Sequence, residues 1–309
     1  ISNIYISSSN IIVRKLAAAT IIMESWHIKM AEAFALSQFE SLRSTPEAAL
    51  PLPDLEQAVQ EVWHEFQSSC NINSVVLNVH YDHNLFLTLP YLNTLAVADR
   101  TMWLIDGVWT PAALLPEHLR YLGGSIDVKI NPYVPNGYYN DDGTCRIGNH
   151  FDLKTILRHE FLHGIGVSSS FKIFNNTEDV GYPTTSGGCY PFTMDLAMRT
   201  ANGEQVVSGC TIQSSISIQD DLFVNNVEIY NPDTYDAGSS YHHTAITDTL
   251  IYYGIPARKC MYVGPTERAL LEAIGAGCTG NFEAVASTPS GASYDEPNFS
   301  VFILVIFVT

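Results

Sequence analysis

The sequence predicts an α+β domain, built from an amphipathic helix, alternating strands and a second, strongly apolar helix that carries the run HEFLH. Three observations point there. Leu55, Val59, Val62, Trp63 and Phe66 recur at helical spacing. Ser74–Tyr81 (SVVLNVHY) and Ser125–Ile130 (SIDVKI) alternate apolar and polar residues with the period of a strand. Between Phe151 and Gly164, Leu153, Ile156, Leu157, Phe161 and Leu162 make a helix that should be largely buried.

Taken in order, residues 1–52 have no clear period and close with Pro51 and Pro53, which suits a leader or pro-segment. Within them, Arg14 and Lys15 precede the apolar run Leu16–Met23, which resembles a signal peptide without a clear cleavage site. Asp54 opens the first helix, expected to run to Ser69. A strand follows over Ser74–Tyr81 and another over Thr101–Val108, the latter weakened at its end by Gly107. Pro111 begins an expected helix to Leu122, stopped by Gly123 and Gly124. After the strand Ser125–Ile130, the Pro-, Gly-, Asn- and Asp-rich stretch 131–149 reads as a loop, and Asp152 is the expected cap of the HEFLH helix. The domain should span residues 53–280. The tail 281–309 ends in Val301–Val308 (VFILVIFV), too short to cross a bilayer. Small residues Ser290–Ala292, a polar spacer and this apolar end have the layout of a GPI signal, with a truncated terminus the alternative.

Composition narrows the function classes. The formal charge of −17 argues against nucleic acid, whose phosphates must be neutralised by basic residues, and against an anionic membrane surface as the main partner. A lipid anchor on the tail is the one membrane association the sequence leaves open. The six cysteines (Cys70, Cys145, Cys189, Cys210, Cys260, Cys278) show no zinc-ribbon spacing and suit up to three disulfides in an oxidising compartment. Asn175 and Asn298 head glycosylation triplets, compatible with export.

The chemistry concentrates in HEFLH. Residues four apart on a helix lie one above the other, so His159 and His163 can direct their imidazoles at one metal ion. Glu160 lies about 100° further round the helix, where its carboxylate can take a proton from water that the ion acidifies. That combination is suited to metal-assisted amide hydrolysis. The third ligand is open on sequence alone. In the pattern HExxHxxGxxH, Gly166 fills the glycine but Ser169 stands at the last position, and a serine hydroxyl is not a usual zinc ligand. His242 and His243, in GSSYHHT, are the histidine candidates; Glu178 is the nearest carboxylate, as a gluzincin-type site would require. His80, His83 and His150 read as ordinary surface or capping histidines.

These motifs resemble the leishmanolysin-type branch of the metzincins and, still more, secreted proteins with HELGHGLGF motifs. The residues that carry the likeness are HEFLHGIG from His159, GSSYHH from Gly238 and GPTERALLEAIG from Gly264, with AVQEVW, SVVLNV, LPEHL and SIDVKI upstream in order, over about residues 55–276. The resemblance implies a metzincin-like peptidase fold: a mixed twisted sheet, an active-site helix and a long insertion before the third ligand. It implies Zn2+ held by His159, His163 and His243, the last in preference to His242, with Glu160 as general base. Two departures stand out. Ile251 occupies the place of the Met-turn methionine, unless Met261 fills it from a shifted turn, and Gly275-Ala276 replaces a final Gly-Trp. Tyr253 matches an auxiliary tyrosine near the metal in some metzincins. The expected activity is that of a secreted, or surface-anchored, zinc endopeptidase acting on protein or peptide substrates. The alternatives are an inactive metzincin-like binding or adhesion protein and a gluzincin-type peptidase with a glutamate ligand.

Overall fold

The computed structural model describes residues 54–87, 94–134, 137–141, 144–145, 148–174, 177–180, 190–208, 211–212, 221–232, 239–279 and 282, without the side chains of 87, 172–174, 177–180, 208 and 211–212. All lie in the unit Pro51–Thr309; the expected leader and the apolar tail fall outside the described residues, as do both glycosylation triplets' asparagines. The architecture is mixed α+β, with several small sheets.

Helix α1 (Leu55–Ser69) starts where Asp54 accepts a hydrogen bond from the Glu56 N–H at 3.0 Å, and it buries Ala58, Val62, Trp63 and Phe66. Its apolar face meets helix α2 (Leu153–Ile165), the HEFLH helix, through edge-on contacts of Trp63 and Phe66 with Phe161 at 5.4 and 6.4 Å between ring centres. Across that seam Arg158 reaches the carboxylate of Glu65 with two bonds of 2.8 Å. Beneath α2 lies a three-stranded sheet in the order β1 (Val76–Tyr81), β5 (Ser125–Ile130), β2 (Ala96–Arg100). β1 and β5 are parallel and β2 is the antiparallel edge. Alternation puts Ile126, Val128 and Ile130 of β5 in the core.

The strand expected over Thr101–Val108 is instead a hairpin, β3 (Met102–Ile105) and β4 (Val108–Pro111). Asp106 and Gly107 both take positive φ (49° and 80°), the two-residue turn that an Asp-Gly pair favours. Strand β2, just before it, carries no alternation because four of its five residues are buried, so period-2 reading passes over it. The helix expected from Pro111 to Leu122 is two 3-10 turns, Ala112–Leu114 and Glu117–Leu122. Pro116 separates them: it has no N–H to donate and holds Leu115 extended (ψ 137°). The expected loop 131–149 includes β6 (Tyr138–Tyr139), paired parallel with β7 (Phe151–Asp152) at the entry to α2.

After α2 come the hairpin β8 (Phe171–Phe174) and β9 (Thr177–Val180) and the short helix α3 (Thr193–Ala197). Strand β10 (Met198–Thr200) follows, then the pair β11 (Val207–Ser208) and β12 (Thr211–Ile212). β10 forms a sheet with β13 (Leu222–Val224) and β14 (Val227–Glu228), and helix α4 (Pro265–Ala273) comes last. Two disulfides, Cys70–Cys278 and Cys145–Cys260, bridge distant parts of the chain; Cys189 and Cys210 lie outside the described residues.

Candidate metal centre

Helix α2 is fixed at both ends before any ligand is considered. Asp152 accepts hydrogen bonds from the N–H groups of Lys154 (3.3 Å) and Thr155 (2.9 Å), the cap its position predicts. At the other end Gly166 takes φ +135°, and the N–H groups of Gly166 and Val167 return to the carbonyls of His163 (3.1 Å) and Leu162 (2.9 Å). This glycine-terminated turn sends the chain back, so that the Val167 carbonyl reaches His163 Nδ1 at 2.7 Å.

His159, His163 and His243 converge. Their Nε2 atoms lie 3.1 Å (His159–His163), 3.3 Å (His163–His243) and 3.3 Å (His159–His243) apart, and no ring is more than 1% exposed. Each Nδ1 faces a backbone carbonyl: Leu250 at 2.7 Å for His159, Val167 at 2.7 Å for His163 and Ser239 at 3.0 Å for His243. A carbonyl can only accept, so each Nδ1 carries the hydrogen and each Nε2 keeps its lone pair. Burial favours the neutral rings; it holds His159 down to about 4 and His163 well below the usual histidine value, where His159 and His243 repel a further charge. Three acceptor nitrogens therefore face one another at close range with no proton between them. A cation at their centre turns that repulsion into attraction, and the three residues could hold a metal ion.

Glu160 is fully buried, and neither carboxylate oxygen has a hydrogen-bond partner among the described residues. Burial alone pushes its carboxyl up to about 8. Leaving such a group unpaired is costly in a core whose other polar groups are mostly satisfied.

The adjacent His242 has another task. Its Nδ1 lies 3.2 Å from the Ser169 N–H, which donates to it, and 3.1 Å from Ser168 Oγ. Ser169, at the position where the short-spaced pattern would have a ligand, donates its hydroxyl to Asp195 at 2.6 Å. Asp195 also accepts from the N–H of Phe192 at 2.7 Å and from the N–H and hydroxyl of Ser170. Of the two turn candidates, the Leu250–Ile251 segment is the one beside His159. Met261 docks one helical turn earlier, its N–H donating to Thr155 Oγ1 at 2.8 Å and its carbonyl accepting from Arg158 at 3.2 Å. Tyr253 packs in a tyrosine cluster, 4.4 Å from Tyr230 and 4.3 Å from Tyr252 between ring centres. Tyr230 donates its N–H to the His243 carbonyl at 2.8 Å, which puts that cluster on the flank of the third histidine. Glu178 sits on β9 with its side chain outside the described residues. His83 bonds to the Tyr133 hydroxyl at 3.1 Å and His80 approaches Asp82, as ordinary histidines do.

The chain matches no protein-family model, no curated protein and no solved structure. Sequence reasoning passed over Asp195, Ser168, Ser170 and Glu267, and met Ser169 only as a residue unsuited to bind zinc. Glu267 had a legible signal: Gly264-Pro265 followed by an acid at the third helical position is a helix-start pattern.

Proposed function

We propose that this chain is a zinc-dependent endopeptidase of metzincin-like construction, with His159, His163 and His243 as ligands and Glu160 as general base. One observation carries the reading: three buried imidazoles present bare Nε2 atoms to a common point, and the residue that follows the first of them, Glu160, is fully buried with no hydrogen-bond partner for its carboxylate among the described residues. Zinc fits the donor set. Three nitrogens at about 2.0–2.1 Å from a tetrahedral ion would stand roughly 3.3 Å from one another, which agrees with the spacings of 3.1–3.3 Å. When bound, such an ion supplies Lewis acidity, acidifying water and polarising a substrate carbonyl.

The chain's own residues supply the rest. The carbonyls of Leu250, Val167 and Ser239 hold the three rings in one tautomer and one orientation. Glu160, whose two oxygens meet no donor among the described residues, can accept a proton from water and return it to the departing amine. A protein that only stored or sensed zinc would have no chemical use for that carboxylate beside two ligands. The formal charge of −17 weighs against nucleic acid as the substrate. Two disulfides favour an extracellular setting; among the described residues no helix is long and apolar enough to cross a membrane.

The test is zinc analysis combined with peptide-library cleavage. Wild type should hold one zinc per chain and cleave. Glu160→Ala should keep the zinc and lose at least about 100-fold in rate. His243→Ala should lose the metal, whereas His242→Ala should retain it. Full zinc in His243→Ala would point to a carboxylate ligand, and zinc without cleavage in wild type would point to a binding protein. Cleavage by Glu160→Ala at the wild-type rate would end the catalytic reading.

A further inference from the structure

Helix α4 begins after Gly264, and Glu267, at its third position, is only 2% exposed. One of its oxygens, Oε2, accepts from the Gly264 N–H at 2.8 Å, the usual work of an acid at a helix start. The other, Oε1, does something a helix start does not require: it accepts from the Ile251 N–H at 3.2 Å, sixteen residues back. That N–H belongs to the same peptide unit as the Leu250 carbonyl, and the Leu250 carbonyl accepts from His159 Nδ1 at 2.7 Å. A buried carboxylate, one peptide unit and a ligand imidazole thus form a continuous hydrogen-bonded line.

An amide is a polarisable dipole. A carboxylate at its N–H end draws the peptide's electrons toward its oxygen, and that oxygen becomes a stronger acceptor, the more so where no water screens the line. A stronger acceptor at Nδ1 pulls the ring hydrogen outward and leaves Nε2 richer in electrons. The same line restrains the ring, since the peptide that orients it is held from behind by a side chain anchored in α4. Leu250 is 1% exposed and Ile251 fully buried, so neither end of the peptide competes with solvent.

The geometry points to Glu267 as a positioning residue of the metal centre, acting through the Leu250–Ile251 peptide to orient His159 and strengthen its Nε2 as a donor. The inference rests on the reading that His159 is a metal ligand, and its test separates the two.

The experiment compares full-length wild type, Glu267→Gln and, as a control on the exposed side of the same helix, Glu272→Gln. Zinc affinity is measured by chelator competition, the visible spectrum is recorded with Co2+ in place of zinc, and the His159 Nδ1–H resonance is followed by NMR in metal-free protein. Glu267→Gln should bind zinc about 10- to 100-fold more weakly. It should shift the Co2+ bands and move the Nδ1–H signal upfield with faster solvent exchange, while Glu272→Gln matches wild type. A folded Glu267→Gln with wild-type affinity, spectrum and Nδ1–H signal overturns the relay and leaves the metal centre standing. Failure of wild type to bind any metal overturns the reading of the centre itself, and the role of Glu267 with it. Should Glu267→Gln not fold, zinc titration of wild type is followed at the Ile251 amide: a shift that saturates with the metal supports the relay, and a static signal overturns it.

Discussion

At the scale of single residues, two neighbours in one run have opposite surroundings. His243 turns Nε2 to the other two imidazoles, and His242 turns Nδ1 to the serine segment that follows α2. Asp195 anchors that segment. Its carboxyl is fully buried, which raises its pKa, while bonds from Ser169, Ser170 and Phe192 oppose the shift without cancelling it. Asp195→Asn replaces one acceptor oxygen with an NH2 group that faces donors, and should destabilise the fold by about 1–3 kcal/mol in urea unfolding. The pH sign follows from the raised value. The fold favours the protonated carboxyl, so stability from this group is fully present below the ordinary 3.8 and declines as pH rises through the folded pKa. Asp195→Asn should remove that slope from a series of unfolding midpoints taken upward from pH 4; an unchanged slope would assign it to other groups.

At the scale of elements, the position of α2 over its sheet is set by what is missing from the helix. A Cβ at Gly164 would stand 2.5 Å from Ile126 Cγ2 on β5, closer than any real contact, so the glycine lets the helix rest directly on the strand. Gly164→Ala should therefore cost about 1–3 kcal/mol and tilt the helix that carries His159 and His163. Unfolding midpoints and zinc affinity should both fall. A stable variant with full affinity would mean that Ile126 gives way instead.

On the scale of the whole molecule, the centre joins segments that sequence keeps far apart. Its three histidines come from α2 and from a turn eighty residues later, its ring-orienting carbonyls from three loops. Disulfide Cys70–Cys278 closes a span of 208 residues around all of them. Replacing both cysteines by alanine should lower stability by roughly 2–5 kcal/mol, since the unfolded chain regains the entropy the bridge removes. Zinc at 100 times its dissociation constant should add about 2.7 kcal/mol to wild type and nothing to His243→Ala. Calorimetric scans with and without metal read both effects; an equal gain in His243→Ala would place the ion elsewhere.

Residue order alone settles what is local. The five letters HEFLH set two imidazoles one turn apart with a carboxylate between them, Asp152 capped their helix, and Leu55 to Phe66 spelled the helix that covers it. These depend on residue spacing along one element, which periodicity and capping chemistry report directly. The hairpin at Asp106-Gly107 and the break at Pro116 were equally local and equally written, in turn chemistry that a reading by hydrophobic period overlooks. That His243 rather than His242 meets the two helix imidazoles is a matter of tertiary structure, because both lie in one turn and nothing in the residue spacing says which ring faces the helix; there the resemblance alone had favoured His243. Tertiary structure alone joined Asp195 to the serines and Glu267 to the Leu250–Ile251 peptide. Such contacts depend on where the chain returns in space, and the free energy that brings it back comes from burying the whole core around α2 rather than from any run of neighbouring residues.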